Sequence, residues 1–275
     1  MGKHILWTYL ILLLFTSCSN DSDQPSSGTS EPELPVMDVS FGNEMVGGFE
    51  NKDVKRLFPN VVWVETHGRS EIVQDEERGK VLRVKYPKGS VGPKQGGIEF
   101  ITTLPGSNEY YLDFYVKFDS NFDFKEGGKL LGLASDNGIF TGGRIPTEKE
   151  GGWSARCVWS SQGKPASLYL YYVDMETEWG EGTYLNTGFE KDKWYRITQH
   201  VRLNDIGKKN ASVTIWVNEQ LAIEKKNFRL RSGSKGAIDT FCFSTFHGGN
   251  TAEWAPGNDS YIFFDSFRIT KQRPF

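Results

Sequence analysis

The sequence predicts an all-β protein, a β-sandwich or jelly roll of antiparallel strands, and three observations predict it. Apolar and polar residues alternate with a period of two in run after run, turn-forming pairs separate the runs, and helical spacing is hard to find. Composition agrees. The 275 residues include 19 Phe, 11 Tyr and 8 Trp, which suit a pleated surface, and 30 Gly, which punctuate turns.

Taken in order, the chain opens on Met1, Lys3 and His4, then an almost unbroken apolar run from Ile5 to Phe15, then Thr16-Ser17-Cys18. The run is shorter than the roughly 20 residues of a membrane span and has the basic, apolar, small-residue order of a secretory signal. It resembles a bacterial lipoprotein signal. That resemblance implies acylation of Cys18, a signal peptide over 1–17 and a surface-exposed lipid anchor in the cell outer membrane. The plainer alternative is an ordinary signal cleaved near Ser17. Residues 18–36 are Ser, Pro, Gly, Asp and Glu with hardly an apolar side chain, too little to offset ordering entropy, so a flexible acidic linker is expected. Residues 37–275 are long for an average domain but ordinary for one sandwich, and are expected to form a single domain.

Within that domain the strands announce themselves. Leu112, Phe114, Val116 and Phe118 share one face, with Tyr111, Asp113, Tyr115 and Lys117 on the other. The pattern returns in Tyr195-Ile197-Gln199-Val201-Leu203, in Val213-Ile215-Val217 and in Tyr261-Phe263-Asp265-Phe267-Ile269. Turn signals such as Pro87-Lys88-Gly89, Pro105-Gly106, Gly207 and Pro256-Gly257 lie between. No repeat of fixed period appears.

Two runs carry chemistry. In residues 151–160 the period of two sets Ser154 and Arg156 on one face and Ala155 and Cys157 on the other. In residues 167–172, Tyr169 and Tyr171 oppose Leu168 and Leu170. Hydroxyl, cation and phenols opposite an aliphatic face suggest the floor of a wet groove on which a sugar chain could lie. A net charge of −3 argues against nucleic acid, which needs a broadly cationic face, but leaves room for a polyanion held by a few cations in a cleft. Cys157 and Cys242 lie in alternating runs where buried free thiols are the first expectation, with a disulfide the alternative in an exported protein. No metal-ligand motif is present, and neither metal nor cofactor is expected.

The segments Gly-Gly-Lys-Leu-Leu-Gly-Leu at 127–133, Gly-Trp-Ser-Ala-Arg at 152–156, Tyr-Leu-Tyr at 169–171, Trp-Tyr-Arg-Ile at 194–197, and Phe-Ser-Thr-Phe-His-Gly-Gly followed by Trp-Ala-Pro at 254–256 resemble polysaccharide lyase family 14. The resemblance spans about residues 127–269. It implies a jelly-roll lyase that cuts a uronic-acid polymer, alginate or glucuronan, by β-elimination, with Lys129, Ser154, Arg156, Tyr169 and Tyr171 at the functional positions. Such chemistry explains the residue types: the substrate carboxylate must be neutralised before the C5 proton can leave, a base takes that proton, and an acid protonates the C4 oxygen. Arg156 suits the carboxylate, because guanidinium is permanently charged and bidentate. Lys129 is either a second neutralising cation or, if burial beside Arg156 lowers its pKa, the base. Tyr169 or Tyr171 transfers a proton, and Ser154 orients substrate or a tyrosine.

Gln95, Arg144 and His247 are further substrate-contact candidates, although polar loop residues are normally just solvated and a lone histidine usually bonds locally. Trp153, Trp159, Trp194 and Trp254 are packing residues by default and sugar platforms by exception. Two other functions compete. A jelly-roll glycoside hydrolase would use Asp174, Glu176 and Glu178, although an acidic loop is the simpler reading of that cluster. A non-catalytic glycan-binding surface lipoprotein would share the fold and address without needing the Lys-Ser-Arg-Tyr-Tyr set.

Overall fold

Alternation sorts the side chains into faces, and the computed structural model, which describes residues 34–275 together with Gly2, shows where each face points. Apart from Gly2, the expected signal lies outside the described residues, as do Cys18 and all but the last three residues of the expected linker. In chain order the strands are β1 (Met37–Val39), β2 (Gly47–Gly48), β3 (Val61–Glu65), β4 (Ser70–Asp75), β5 (Gly79–Tyr86), β6 (Ile98–Ser107), β7 (Glu109–Phe118) and β8 (Gly127–Ala134). They continue as β9 (Ser154–Ser160), β10 (Ser167–Tyr171), β11 (Glu181–Tyr184), β12 (Trp194–Arg202), β13 (Ala211–Val217), β14 (Gln220–Phe228), β15 (Ile238–His247) and β16 (Ser260–Thr270). Two short helices, α1 (Asn51–Leu57) and α2 (Gly92–Gln95), interrupt them.

The strands form two antiparallel sheets. One runs β14-β13-β12-β7-β16-β5-β4-β2 with β1 paired to β16, and the other runs β11-β10-β9-β8-β15-β6-β3. Their apolar faces meet as a sandwich core, with Leu112, Phe114, Val116 and Phe118 of β7 facing inward along with Ile197 and Val201 of β12. From the seven-stranded sheet come Ala155, Cys157, Trp159, Leu168, Leu170, Phe241 and Phe243. Phe100 and Phe243 stack with ring centroids 4.5 Å apart, and Phe267 meets Phe58, Phe114 and Phe243. Each such ring removes a large apolar area from water, alongside the aliphatic side chains of the core. Cys157 and Cys242 are buried free thiols, the first of the two expectations.

One polar residue crosses the core to good effect. Gln199 is buried on the inner face of β12, and its side chain accepts from Leu133 N–H at 3.0 Å and donates to Ala155 C=O at 3.2 Å. Those backbone groups border a bulge where the β8–β9 register shifts between Lys129 and Gly132. A buried amide bonded at both its oxygen and its nitrogen thus pins the strands that carry Lys129 and Arg156.

The alternation along β16 departs from expectation. The sequence puts Tyr261, Phe263, Asp265, Phe267 and Ile269 on one face, but Ser266 adopts φ 53° and the register slips between Asp265 and Arg268. This bulge reverses the faces. Ile262 and Phe264 point inward before it, and Phe267 and Ile269 after it.

Candidate active site

The groove face is the outer face of the seven-stranded sheet. On β9, Ala155 and Cys157 belong to the core, so Ser154 and Arg156 project outward. Cross-strand register then sets the neighbours: Tyr169 of β10 stands opposite Arg156, and Tyr171 opposite Ser154. On the other side Gly132 of β8 pairs with Arg156, and Cys242 of β15 pairs with Gly132. Lys129 of β8 lies between Val158 and Phe246.

The register brings the cations and phenols together. The Lys129 ammonium sits 3.7 Å from the centroid of the Tyr169 ring, and the Arg156 guanidinium 6.0 Å from it. The two tyrosine rings meet edge to face at 5.7 Å. Four of the five expected functional residues therefore surround one spot.

Gly132 makes this possible. A Cβ there would stand 1.9 Å from Ala155 C=O, so only glycine lets β8 lie this close to β9. Gly180 closes the site from above, since a Cβ on it would come within 2.7 Å of both tyrosine rings. Sequence reasoning passed over both glycines, which look like ordinary turn residues until their neighbours are known.

Arg156 is the central group. It is 3 % exposed, yet among the described residues no carboxylate pairs with it, and its buried Nε has no hydrogen-bond partner. A buried charge normally costs several kcal/mol unless paired, so a site that keeps one unpaired is prepared for an anion. Lys129 also has no ion-pair partner among the described residues, and burial, then the charge of Arg156, pushes its pKa down to about 7. Burial, then the hydrogen bond with Tyr171, pushes the Tyr169 phenol up, partly opposed by Arg156. The first therefore exchanges protons near neutrality, and the second stays protonated.

Ser154 and Tyr171 hold a loop rather than face open groove. Ser154 Oγ donates to Phe140 C=O at 2.6 Å, and Gly143 N–H donates to Tyr171 Oη at 2.9 Å. Both side chains are buried, and both tie the 135–153 connection to the floor. Trp179 stacks on Gly143 from outside, still 54 % exposed.

The other candidates fall elsewhere. His247 faces the core, not the groove, because the period of two that points Phe246 outward turns His247 inward. There it packs against Tyr86, Phe122 and Trp159, and its Nε2 lies 2.7 Å from Asp123 C=O. Burial lowers its pKa to about 4, which leaves the ring neutral. Arg144 follows Gly143 at the rim, but its guanidinium is engaged by Glu150 at 3.0 Å. Gln95 is exposed at the end of α2, its side-chain oxygen accepting from Val91 N–H at 3.0 Å. Asp174 pairs with Arg229, and Glu176 and Glu178 are exposed beyond the end of β10, so the acidic loop reading holds. Trp153 and Trp159 are buried in the core. Among the described residues no three His, Cys, Asp or Glu side chains gather to hold a metal.

A sandwich that carries a guanidinium without a carboxylate partner among the described residues, a near-neutral lysine and paired phenols on one outer face has the makings of a polysaccharide lyase. The chain belongs to polysaccharide lyase family 14, whose model matches residues 74–267. Its fold is similar to that of a doubly substituted alginate lyase Aly36B in complex with an alginate trisaccharide. The TM-score is 0.76 at 24 % identity, covering 88 % of this chain and 100 % of that one. The marine alginate lyase from Aplysia kurodai gives 0.73 at 23 % identity over 87 % of this chain and 100 % of that one. Exolysin of Paramecium bursaria Chlorella virus 1 is 24 % identical over 243 residues, 75 % of this chain and 36 % of that protein. The chain thus spans about a third of the length of that curated relative.

Proposed function

We propose that this polysaccharide lyase cleaves a uronic-acid polymer, alginate or glucuronan in type, by β-elimination, and that Arg156 receives the carboxylate of the sugar being cut. The observation that carries this is the burial of Arg156 with no carboxylate at ion-pair distance among the described residues. A uronate supplies the missing anion, and its neutralisation is what makes the C5 proton removable. The similar structures named for alginate lyases support the substrate class.

Lys129 is the base. Its pKa near 7 leaves a large neutral fraction at neutral pH, and a neutral amine takes the C5 proton. As the C4–O bond breaks, the departing oxygen takes the proton of Tyr169, which its surroundings keep protonated. The Lys129 ammonium then gives up its proton and the phenolate takes one back, so no net proton is gained or lost. Tyr171 and Ser154 position Tyr169 and the loop above it.

The test is incubation of the purified protein with alginate and with polyglucuronate, followed by ultraviolet absorbance of the unsaturated product and mass spectrometry. Product carrying a 4,5 double bond is expected. Release of ordinary reducing ends without unsaturation would replace the lyase with a hydrolase, and tight binding without turnover would leave a glycan-binding protein.

We also propose that Cys18 is lipidated and anchors the protein to the outer membrane, a reading supported by the apolar run before it and the acidic, Ser-rich stretch after it. Cys18→Ala is expected to move the protein from the membrane fraction to the soluble one. Unchanged membrane association would sink the idea.

A further inference from the structure

Beyond the cation–phenol cluster, the same floor continues across β15 and β6, and its chemistry changes sign. Ile98 and Phe100 of β6 are in the core, so Glu99 between them faces the groove, half-buried. It stands opposite Ser244 of β15 on one side and Glu65 of β3 on the other. Ser244 Oγ donates to Glu99, and among the described residues it is the single side chain that does so. Among the described residues no lysine or arginine pairs with it; burial pushes its pKa up, and the Ser244 hydrogen bond and then the charge of Arg156 oppose that rise. Arg69, a cation whose charge is also felt by Glu99, spends its guanidinium hydrogen bonds on the carbonyls of Gly97, Lys94 and Pro93. His67 pairs with Glu65 at 3.0 Å.

A carboxylate offers about four lone-pair sites, and Ser244 fills one. What remains is acceptor capacity directed at the trough, and the donors of a polysaccharide are its ring hydroxyls. From β9 to β6 is three strand spacings, about 14 Å between backbones, and the charge of Arg156 still acts on Glu99, so the two side-chain ends lie closer than their strands, within reach of neighbouring sugars. Resting on the lyase reading above, we infer that Glu99, oriented by Ser244, forms a subsite that reads the hydroxyls of the sugar next to the one whose carboxylate Arg156 holds. The same charge rejects a carboxylate aimed at the floor there. A uronate pyranose bears its carboxylate at one end and vicinal hydroxyls at the other. A floor that is cationic at one end and anionic at the other therefore fixes which way each ring lies, and with it the direction of the chain.

Subsite mapping tests this. Purified wild-type protein is given oligouronates of increasing length, and kcat/KM is expected to climb at the length that first fills the subsite. In Glu99→Ala that climb shrinks about tenfold, with the loss in KM, because a hydrogen bond to a charged acceptor is gone. In Ser244→Ala it shrinks by less, since the carboxylate remains. Equal loss at every length, a loss confined to kcat, or no loss overturns the assignment. Should Glu99→Ala fold poorly, Glu99→Gln keeps the shape, removes the charge and is read the same way. Wild-type protein that cleaves no oligouronate of any length overturns the lyase reading instead, so the two failures are distinct.

Discussion

The two outer faces of the sandwich are built from the same kinds of residue and differ in how their charges are settled. On the nine-stranded sheet every prominent cation has a partner: Arg78 with Asp265 at 2.9 Å, Arg83 with Glu71 at 2.7 Å, Arg196 with Asp113 at 3.0 Å, and Lys117 with Asp75. Aromatic rings lie among them, with Arg78 3.5 Å from the Tyr115 ring. On the seven-stranded sheet Arg156 and Lys129 also lie among aromatic rings, and neither has a carboxylate within ion-pair distance among the described residues. Electrostatic self-sufficiency marks the structural face. Unsettled charge marks the face proposed to act on substrate, because a ligand would complete it.

The largest effect that would break this contrast is at Lys129. Lys129→Met is expected to lower kcat by up to about 10⁴-fold, the scale of a lost general base, with circular dichroism unchanged. The wild-type pH profile sharpens the point. The Lys129 pKa is lowered to about 7, so the ammonium prevails below that value and the base is blocked. The rate should therefore rise with pH through about 7, and a rate that falls there would make Lys129 a cation and not a base.

Next comes Arg156. Arg156→Met should cost about 10³-fold in kcat/KM, comparable to removing a group that stabilises developing negative charge. Its melting temperature should hold or rise, since a buried unpaired charge has been removed. A marked loss of stability would mean that Arg156 is structural after all.

On the other face the outcome should invert. Asp113 accepts from Arg196 and from Thr198, and it is buried. Asp113→Ala is expected to cost on the order of 3 kcal/mol of stability in denaturant titration while the remaining folded protein keeps its specific activity. The smallest effect belongs to the exposed pair of Lys164 and Glu190. Lys164→Ala should shift neither melting temperature nor rate measurably, because solvent screens such pairs. Activity lost in either variant would show that the division between the faces is drawn in the wrong place.

Much of this was legible in the sequence because a strand's period of two is a local property. Alternation alone put Arg156 opposite Cys157 and Tyr169 opposite Leu168, and the core confirms both faces. The same rule overreached at β16, where one residue in a left-handed conformation reversed the faces, but it held at His247, where the period of two itself turns the ring inward, away from the substrate contact expected of it. Glu99 was readable as an outward acid between Ile98 and Phe100, but nothing local tied it to Ser244, which lies 145 positions away.

By itself, then, the sequence determined the strands, their faces and the residue types fit for proton transfer, since these depend on neighbours one or two positions apart. Only the tertiary structure decided which charges would find partners. That follows from register between distant strands, from glycines at 132 and 180 that permit close approach, and from burial, which turns Lys129 from an ordinary cation into a near-neutral base.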